Sequence, residues 1–382
     1  MKNITVNLDE QKRLIKELDQ RHDVEGERIK RYLSMPDLSR LEGSPIKDMI
    51  DRAINLPSLN NLDIIEAPEI VPTDISFDLF NFAPDHPARS KSDTYYVNDK
   101  NILRTHTTVM WYYYLQDPEV KEKIARGESV GSVSFGKVYR KDEIDRHHMN
   151  VFHQLDGWYL APKSEKVITE EDLKSVLSDI AKSIFGPETK IRFNVDSFPF
   201  TDPSIEMEIE KDGKWVEVLG GGIVRKEVLK NFGVNPDEYT GWAFGFGLER
   251  LAIVSMELPD IRLLWSNDER VKKQLVLGHK FKEVSKFPPV VRDISFVVKK
   301  EDFILNDYFD HIRDIGGAMV EEVALLDKYE NAEKFGEGKI SYTFRITYRH
   351  LDKTLTNAEV NELHSKLEES TTEEFGGIIR LA

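Results

Sequence analysis

Between Val138 and Trp158 the chain reads VYRKDEIDRHHMNVFHQLDGW, and this stretch narrows the possible folds more than any other. Apolar residues flank a middle too rich in Asp and His for a buried strand, which predicts two antiparallel strands joined by a charged loop. Arg140 stands beside Asp142 and Glu143, and the run continues through His147, His148 and His153 to Gln154 and Asp156. Arginine's planar fork binds two phosphate oxygens together, while carboxylates and an amide suit an ammonium group. Such a hairpin can hold a phosphate and a small amine at once; a solvated turn with an ion pair is the competing reading.

A second segment, GWAFGFGLERLA from Gly241 to Ala252, runs from glycines into a helical pattern. Gly245 and Gly247 lie two apart, so one pleat face is bare for a flat ligand, and Arg250 begins the helix behind it. Upstream, Glu170 to Phe185 carries a helical stripe of Leu173, Val176, Leu177, Ile180 and Ile184. Ile191 to Phe200 is predicted as a strand with Phe198 and Phe200 on one face, able to sandwich or edge-stack a third ring, or simply to fill a core. Met207 to Val218 reads as a hairpin around Lys211, Asp212, Gly213 and Lys214. Glu217 in its second strand is an acid in need of a partner, either a magnesium ion or a structural cation.

The ends of the chain differ in character. Leu8 to Leu33 is helical and highly charged with a short stripe of Leu14, Ile15 and Leu18, and Pro45 to Ile54 is a second helical pattern. Asn267 to Leu277 reads as a hinge helix. Beyond it the order is strand (Arg292 to Val298), helix (Ile304 to Ile315), strand (Val320 to Tyr329), strand (Lys339 to Arg349), helix (Thr356 to Glu374) and strand (Gly377 to Leu381). That order is βαββαβ, the ferredoxin-like arrangement. In KISYTFRITYR, Ile340, Tyr342, Phe344, Ile346 and Tyr348 alternate with polar residues, so one sheet face packs on helices and the other is polar.

Composition removes whole classes of function. No apolar run approaches the ~18 residues of a membrane span, and the absence of cysteine excludes disulfides and thiolate metal sites. The opening MKNITVNLDEQKRL carries acids early and lacks the arginine-rich face of a transit peptide, which predicts a cytoplasmic protein, or an organelle-matrix one if a leader has been removed. A net charge of −15 weighs against nucleic acid, yet a local basic surface is what matters. The candidates are Lys272 with Lys273, Lys299 with Lys300, and the strand bearing Lys339, Arg345 and Arg349.

At these segments the chain resembles the class II aminoacyl-tRNA synthetases, and within them the single-chain, organelle-type phenylalanyl-tRNA synthetases. VYRKDEID with VFHQLDG is similar to the second class-defining motif, GWAFGFGLERLA to the third, and Pro45 to Ile54 occupies the place of the first. DHPARSKSDTYYV, LRTHT, FPFTDPS and WVEVLGGGIV are similar to the family's intervening segments, and the likeness spans residues 44 to 382. The resemblance implies an α+β chain: an N-terminal helical segment (1–43), a class II catalytic domain built on an antiparallel sheet (44–266), a linker (267–285) and a ferredoxin-like anticodon-binding domain (286–382). It implies a monomeric phenylalanine–tRNA ligase whose substrates are ATP, L-phenylalanine and tRNA(Phe), with Mg²⁺ and with no membrane partner.

The same resemblance distributes roles. Arg140 would hold the α-phosphate with Asp142 beside it, Arg250 the γ-phosphate, Glu217 Mg²⁺, and Phe244 would stack under adenine. His148 would contact phosphate or ribose, the alternative being that either it or His147 simply caps the loop. Gln154, Asp156, Thr108 and neighbouring His106 would take the amino acid's polar end, Phe198 and Phe200 its ring, and Ala243 would fill the para position. Lys339, Arg345 and Arg349 would face tRNA. Two departures stand out, since relatives usually carry serine at the Thr108 position and glutamate at the Asp156 position. A paralogue activating another amino acid or carboxylate, and a non-catalytic RNA-binding relative, are the alternatives.

Overall fold

The computed structural model describes residues 2–143, 145–283 and 287–380. The chain forms two compact units, the first made of residues 1–140, 151–257 and 275–280, the second of 141–150, 258–274 and 281–382. Strands follow in chain order as β1 (Asn3–Ile4), β2 (Asp63–Ile65), β3 (Ile70–Pro72), β4 (Asn101–Leu103), β5 (Val130–Tyr139), β6 (Val151–Pro162) and β7 (Ile191–Phe198). Then come β8 (Thr201–Lys211), β9 (Lys214–Val224), β10 (Tyr239–Gly247), β11 (Val290–Lys299), β12 (Val320–Tyr329), β13 (Lys339–Tyr348) and β14 (Ile378–Ile379).

In the first unit an eight-stranded sheet has the order β1-β2-β5-β6-β10-β9-β8-β7, antiparallel except where β2 pairs with β1 and β5. The helices Pro45–Ile54, Glu170–Phe185 and Leu248–Met256 pack together. The first starts on a Ser44 cap with Pro45 at its first position, and the second on a reciprocal cap between Thr169 and Asp172. Leu173, Val176, Leu177, Ile180 and Ile184 are all buried, as the periodicity predicts. The Asp212–Gly213 turn between β8 and β9 has both φ angles positive, 52° and 77°, which is why an Asp-Gly pair sits there. The charged N-terminal stretch forms two helices, Asp9–Asp19 and Val24–Ser34, whose Leu14, Leu18, Ile29 and Tyr32 join a core with Tyr95 and Tyr139.

Two local readings change. The strand predicted to run to Phe200 ends at Phe198, because Pro199 has no N–H for the ladder and the chain turns there. The hinge helix over Asn267 to Leu277 shortens to Glu269–Lys272; only Val271 within it is buried, too little apolar surface to hold a longer one.

The second unit carries a four-stranded antiparallel sheet of order β12-β13-β11-β14 with the Leu305–Gly316 and Asn357–Phe375 helices. Ile294, Phe296, Phe344, Ile346, Tyr308, Phe309 and Leu367 form its core. Residues 141–150 are held in this unit: Lys141 pairs with Asp307 at 2.8 Å, Asn150 donates to buried Asp310 at 2.6 Å, and Arg146 reaches Glu321 at 2.9 Å. Leu381, read as the end of the last strand, lies outside the described residues. Among the described residues no helix is long and apolar enough to cross a membrane.

Candidate active site

β5 and β6 pair with Tyr139 opposite Val151, and β10 lies on the other side of β6 with Gly247 opposite Gln154 and Gly245 opposite Asp156. Paired residues share a face and successive residues alternate, so Phe152, Gln154 and Asp156 project together with Ala243, Gly245 and Gly247. β9 extends this surface, with Gly220 opposite Gly245 and Gly222 opposite Ala243. One row therefore runs Asp156, Gly245, Gly220 and the next Trp158, Ala243, Gly222, so that on β10 and β9 this floor carries nothing larger than a methyl group. A Cβ on Gly245 would stand 2.5 Å from Asp156 Oδ1, and one on Gly220 3.0 Å from the Phe198 ring. Those glycines leave the space beside the carboxylate and the ring free of a methyl group.

Asp156 is buried. Its Oδ2 accepts the Thr108 hydroxyl at 2.5 Å, while Oδ1 has no hydrogen-bond partner among the described residues. Burial raises its pKa to about 6, with Thr108 and the Arg140 charge pulling the other way. Beside it Gln154 accepts the Thr107 N–H at 3.3 Å. His106 lies 3.1 Å from the Ser76 carbonyl, which can only accept, so Nε2 carries the proton and Nδ1 is a buried lone pair without a partner among the described residues. Burial lowers that ring's pKa to about 3, so it stays neutral. An unpaired carboxylate oxygen and an unpaired imidazole nitrogen both call for N–H donors, and an ammonium group has three.

Aromatic side chains wall the same face. Phe198 and Phe200 stack at 5.9 Å and 11°, Phe200 meets Phe80 edge-on at 6.0 Å, and Phe82 stacks on His106 at 6.1 Å. A ring sandwiched between Phe198 and Phe200 would need roughly 7 Å, twice a van der Waals contact. The sandwich is therefore replaced by a paired wall. Ala243 is buried in the cluster that includes Trp111, Trp158 and Phe80.

Arg140 follows β5 directly, its Nε donating to the Thr105 carbonyl at 2.9 Å and its guanidinium lying 5.2 Å from the Phe152 ring centre. Arg250, in the first turn of the Leu248–Met256 helix after β10, is 3.3 Å from Glu217. The strands they follow, β5 and β10, flank β6 and end on the same side of the sheet, two strand spacings or about 10 Å from one another.

Several assigned residues fall elsewhere. Phe244 is on the other face: it pairs with Gly157, its ring occupies the space a Cβ there would need, and it stacks in a buried series with Trp242 and Phe246. Leu173 of the Glu170–Phe185 helix covers that face beside Gly221. Of the two aromatics of β6 that share a face with Gln154 and Asp156, Trp158 is fully buried and Phe152 is half-buried beside bare Gly247; the alternation of VFHQLD signals Phe152. Glu217, expected to need magnesium or a structural cation, has the second of these in Arg250; its side chain is 53% exposed and sits opposite Glu208, a like-charge pairing relieved by Arg250 and by Arg192 on Glu208. Asp142 and His148 belong to the 141–150 segment of the second unit, where His148 pairs with Asp145 at 2.8 Å and Asp145 also accepts the His147 and His148 N–H groups. That is the loop-capping alternative for His148.

On the second unit's polar face Arg345 grips Asp293 through two bonds of 2.8 and 2.7 Å, and Arg349 binds buried Glu321 at 2.8 Å, the same acid that holds Arg146. Both forks are engaged within the domain; Lys339 faces Lys299 across β11 and β13. Sequence reading passed over Tyr329, which is exposed and meets Phe335 edge-on at 6.0 Å, with the Arg380 guanidinium 5.4 Å from the Phe335 ring.

Residues 31–275 match the family described as tRNA synthetases class II core domain (F), and residues 285–380 the ferredoxin-fold anticodon binding domain. The chain is 37% identical over 350 residues to the mitochondrial phenylalanine–tRNA ligase of Mus musculus, covering 81% of this chain and 74% of that protein. It is 39% identical over 322 residues to the chloroplastic/mitochondrial phenylalanine–tRNA ligase of Arabidopsis thaliana, covering 81% and 71%. With the mitochondrial phenylalanine–tRNA ligase of Saccharomyces cerevisiae the identity is 31% over 417 residues, covering 88% and 87%.

Proposed function

The chain belongs to the single-chain phenylalanine–tRNA ligases of class II, and from that premise we propose that its open sheet face activates L-phenylalanine with ATP and passes it to tRNA(Phe). One observation supports the substrate reading: Asp156 has a buried oxygen with no partner among the described residues, beside an aromatic wall and a floor of glycines. The ammonium group satisfies Asp156 Oδ1 and His106 Nδ1, and the benzyl ring lies against Phe198 and Phe200 with Ala243 at its far end.

Activation requires the amino acid carboxylate to attack the α-phosphate of ATP in line and expel pyrophosphate. No protein nucleophile is needed, so catalysis rests on position and on charge. Arg140 would hold the α-phosphate and Arg250 the γ-phosphate, with adenine stacked on Phe152. Glu217 would release Arg250 to the triphosphate and take Mg²⁺, which neutralises phosphate charge when bound. Mg²⁺ ordinarily uses only one or two carboxylates in addition to nucleotide oxygens. An exposed acid already facing another acid fits that demand. The terminal ribose hydroxyl of tRNA then attacks the adenylate carbonyl and releases AMP.

For the RNA, Lys339 and Lys299 supply phosphate contacts, and Tyr329 with Phe335 and Arg380 offers a surface on which an unpaired base can stack. The protein acts as a monomer, and its relatives' names favour an organelle matrix over the cytoplasm. Arg140→Ala should reduce phenylalanine-dependent pyrophosphate exchange at least a hundredfold, the scale set by losing a preorganised charge contact. Near-normal exchange in that variant would discard the assignment.

A further inference from the structure

β10 stops at Gly247, opposite Gln154. The N–H of His153, one residue back along β6, therefore has no residue of β10 to donate to. Glu249, two residues past the end of β10, fills the gap: its carboxylate accepts the His153 N–H at 2.8 and 3.0 Å and the ring Nδ1 at 2.6 Å. On the far side of the ring, Nε2 lies 2.9 Å from the Leu38 nitrogen and 3.3 Å from the Asp37 carboxylate; burial lowers the ring's pKa, but the Glu249 and Asp37 carboxylates outweigh it and raise the value to about 9, so Nδ1 carries a proton at neutral pH. His153 and Glu249 are both buried. They lie on the helix-covered side of the sheet, where no substrate reaches, so nothing in the reaction uses them directly.

Their location gives them a task. The Leu248–Met256 helix starts on Gly247, which supplies no side-chain cap. Its first turn is fixed instead by the three bonds on Glu249, and Arg250 is the next residue. We infer that Glu249 and His153 are positioning residues for Arg250. They clamp the first helical turn to the strand bearing Phe152 and Gln154, so that the guanidinium reaches the triphosphate from a fixed base. This rests on the ATP reading above.

The test uses the full chain and separate titrations with L-phenylalanine and with a non-hydrolysable ATP analogue plus Mg²⁺. Glu249→Ala and His153→Leu should weaken nucleotide binding roughly tenfold or more, as displaced contact groups do, and leave phenylalanine affinity within about twofold. His153→Asn, whose amide N–H can take the place of Nδ1, should recover most of the loss. In an Arg250→Ala background, Glu249→Ala should add nothing, because the two act through one contact. If Glu249→Ala does not fold, Glu249→Gln keeps the shape and an acceptor and carries the same comparison. Equal weakening of both ligands, a full additional loss in the Arg250→Ala background, or a lowered melting temperature with unchanged nucleotide affinity would each overturn the inference. Failure of the unaltered chain to bind the nucleotide would instead overturn the ATP reading beneath it.

Discussion

A carboxylic acid with a pKa of about 6 changes charge inside the range where enzymes are assayed, and Asp156 is such a group. As the proposed partner of the substrate's ammonium group it has to be ionised. Catalytic efficiency with phenylalanine should therefore fall on the acid side with a midpoint near pH 6 in the free enzyme. His106, at about 3, does not contribute to that limb. The same shift runs the other way for stability: an acid whose pKa is raised on folding stabilises the protein at low pH, and that contribution is lost as pH rises from about 4 through 6. Asp156→Asn should remove the acid limb of kcat/KM for phenylalanine and raise KM; a variant retaining the midpoint would assign it to another group. Selectivity is argued at the same scale. An apolar pocket rejects an added hydroxyl by only ~10²-fold unless something fills the space, and Ala243→Gly should admit para-chlorophenylalanine in pyrophosphate exchange. Unchanged discrimination between the two amino acids would remove Ala243 from the pocket. Asp156 and Ala243 stand out in the sequence because they lie in recognisable strings. Phe244 was misplaced because GWAFGFG alternates aromatic and small residues, and the string alone does not say which parity the helices cover. Tertiary packing decides that: Leu173 lies beside Gly221 on the Phe244 side.

The strands turn this parity into a contrast that experiments can read. Gly245 and Gly221 sit on adjacent strands, one on each face. Alanine at 245 puts a methyl 2.5 Å from Asp156 Oδ1 on the open face, whereas alanine at 221 puts one 2.6 Å from the Ala243 carbonyl under the helices. Gly245→Ala should raise KM for phenylalanine at least tenfold, on the scale of a misplaced contact group, with little change in melting temperature. Gly221→Ala should instead destabilise the fold by about 1–3 kcal/mol through overpacking. If the two effects were exchanged, the faces would be assigned the wrong way round. The hairpins and the βαββαβ order could be read from the sequence because period-two alternation and Asp-Gly turns are local signals. The clamp between Glu249 and His153 could not, since it joins residues 96 apart in the chain at the point where one strand ends.

For the whole molecule the open question is how a chain of net charge −15 holds RNA. Arg345 and Arg349 looked like phosphate ligands in the sequence because a basic alternation on a polar face has no visible partners; Asp293 and Glu321, far away in sequence, supply them. Lys299→Ala and Lys339→Ala should each lower the salt slope of tRNA binding by about one. Arg349→Ala should leave that slope unaltered and lower stability. A flattened slope in Arg349→Ala would return that residue to the RNA face. The account as a whole is tested most directly by pyrophosphate exchange measured with each of the twenty amino acids. Phenylalanine alone should sustain rapid ATP-dependent exchange; equal or greater exchange with a different amino acid, or none with any, would contradict it.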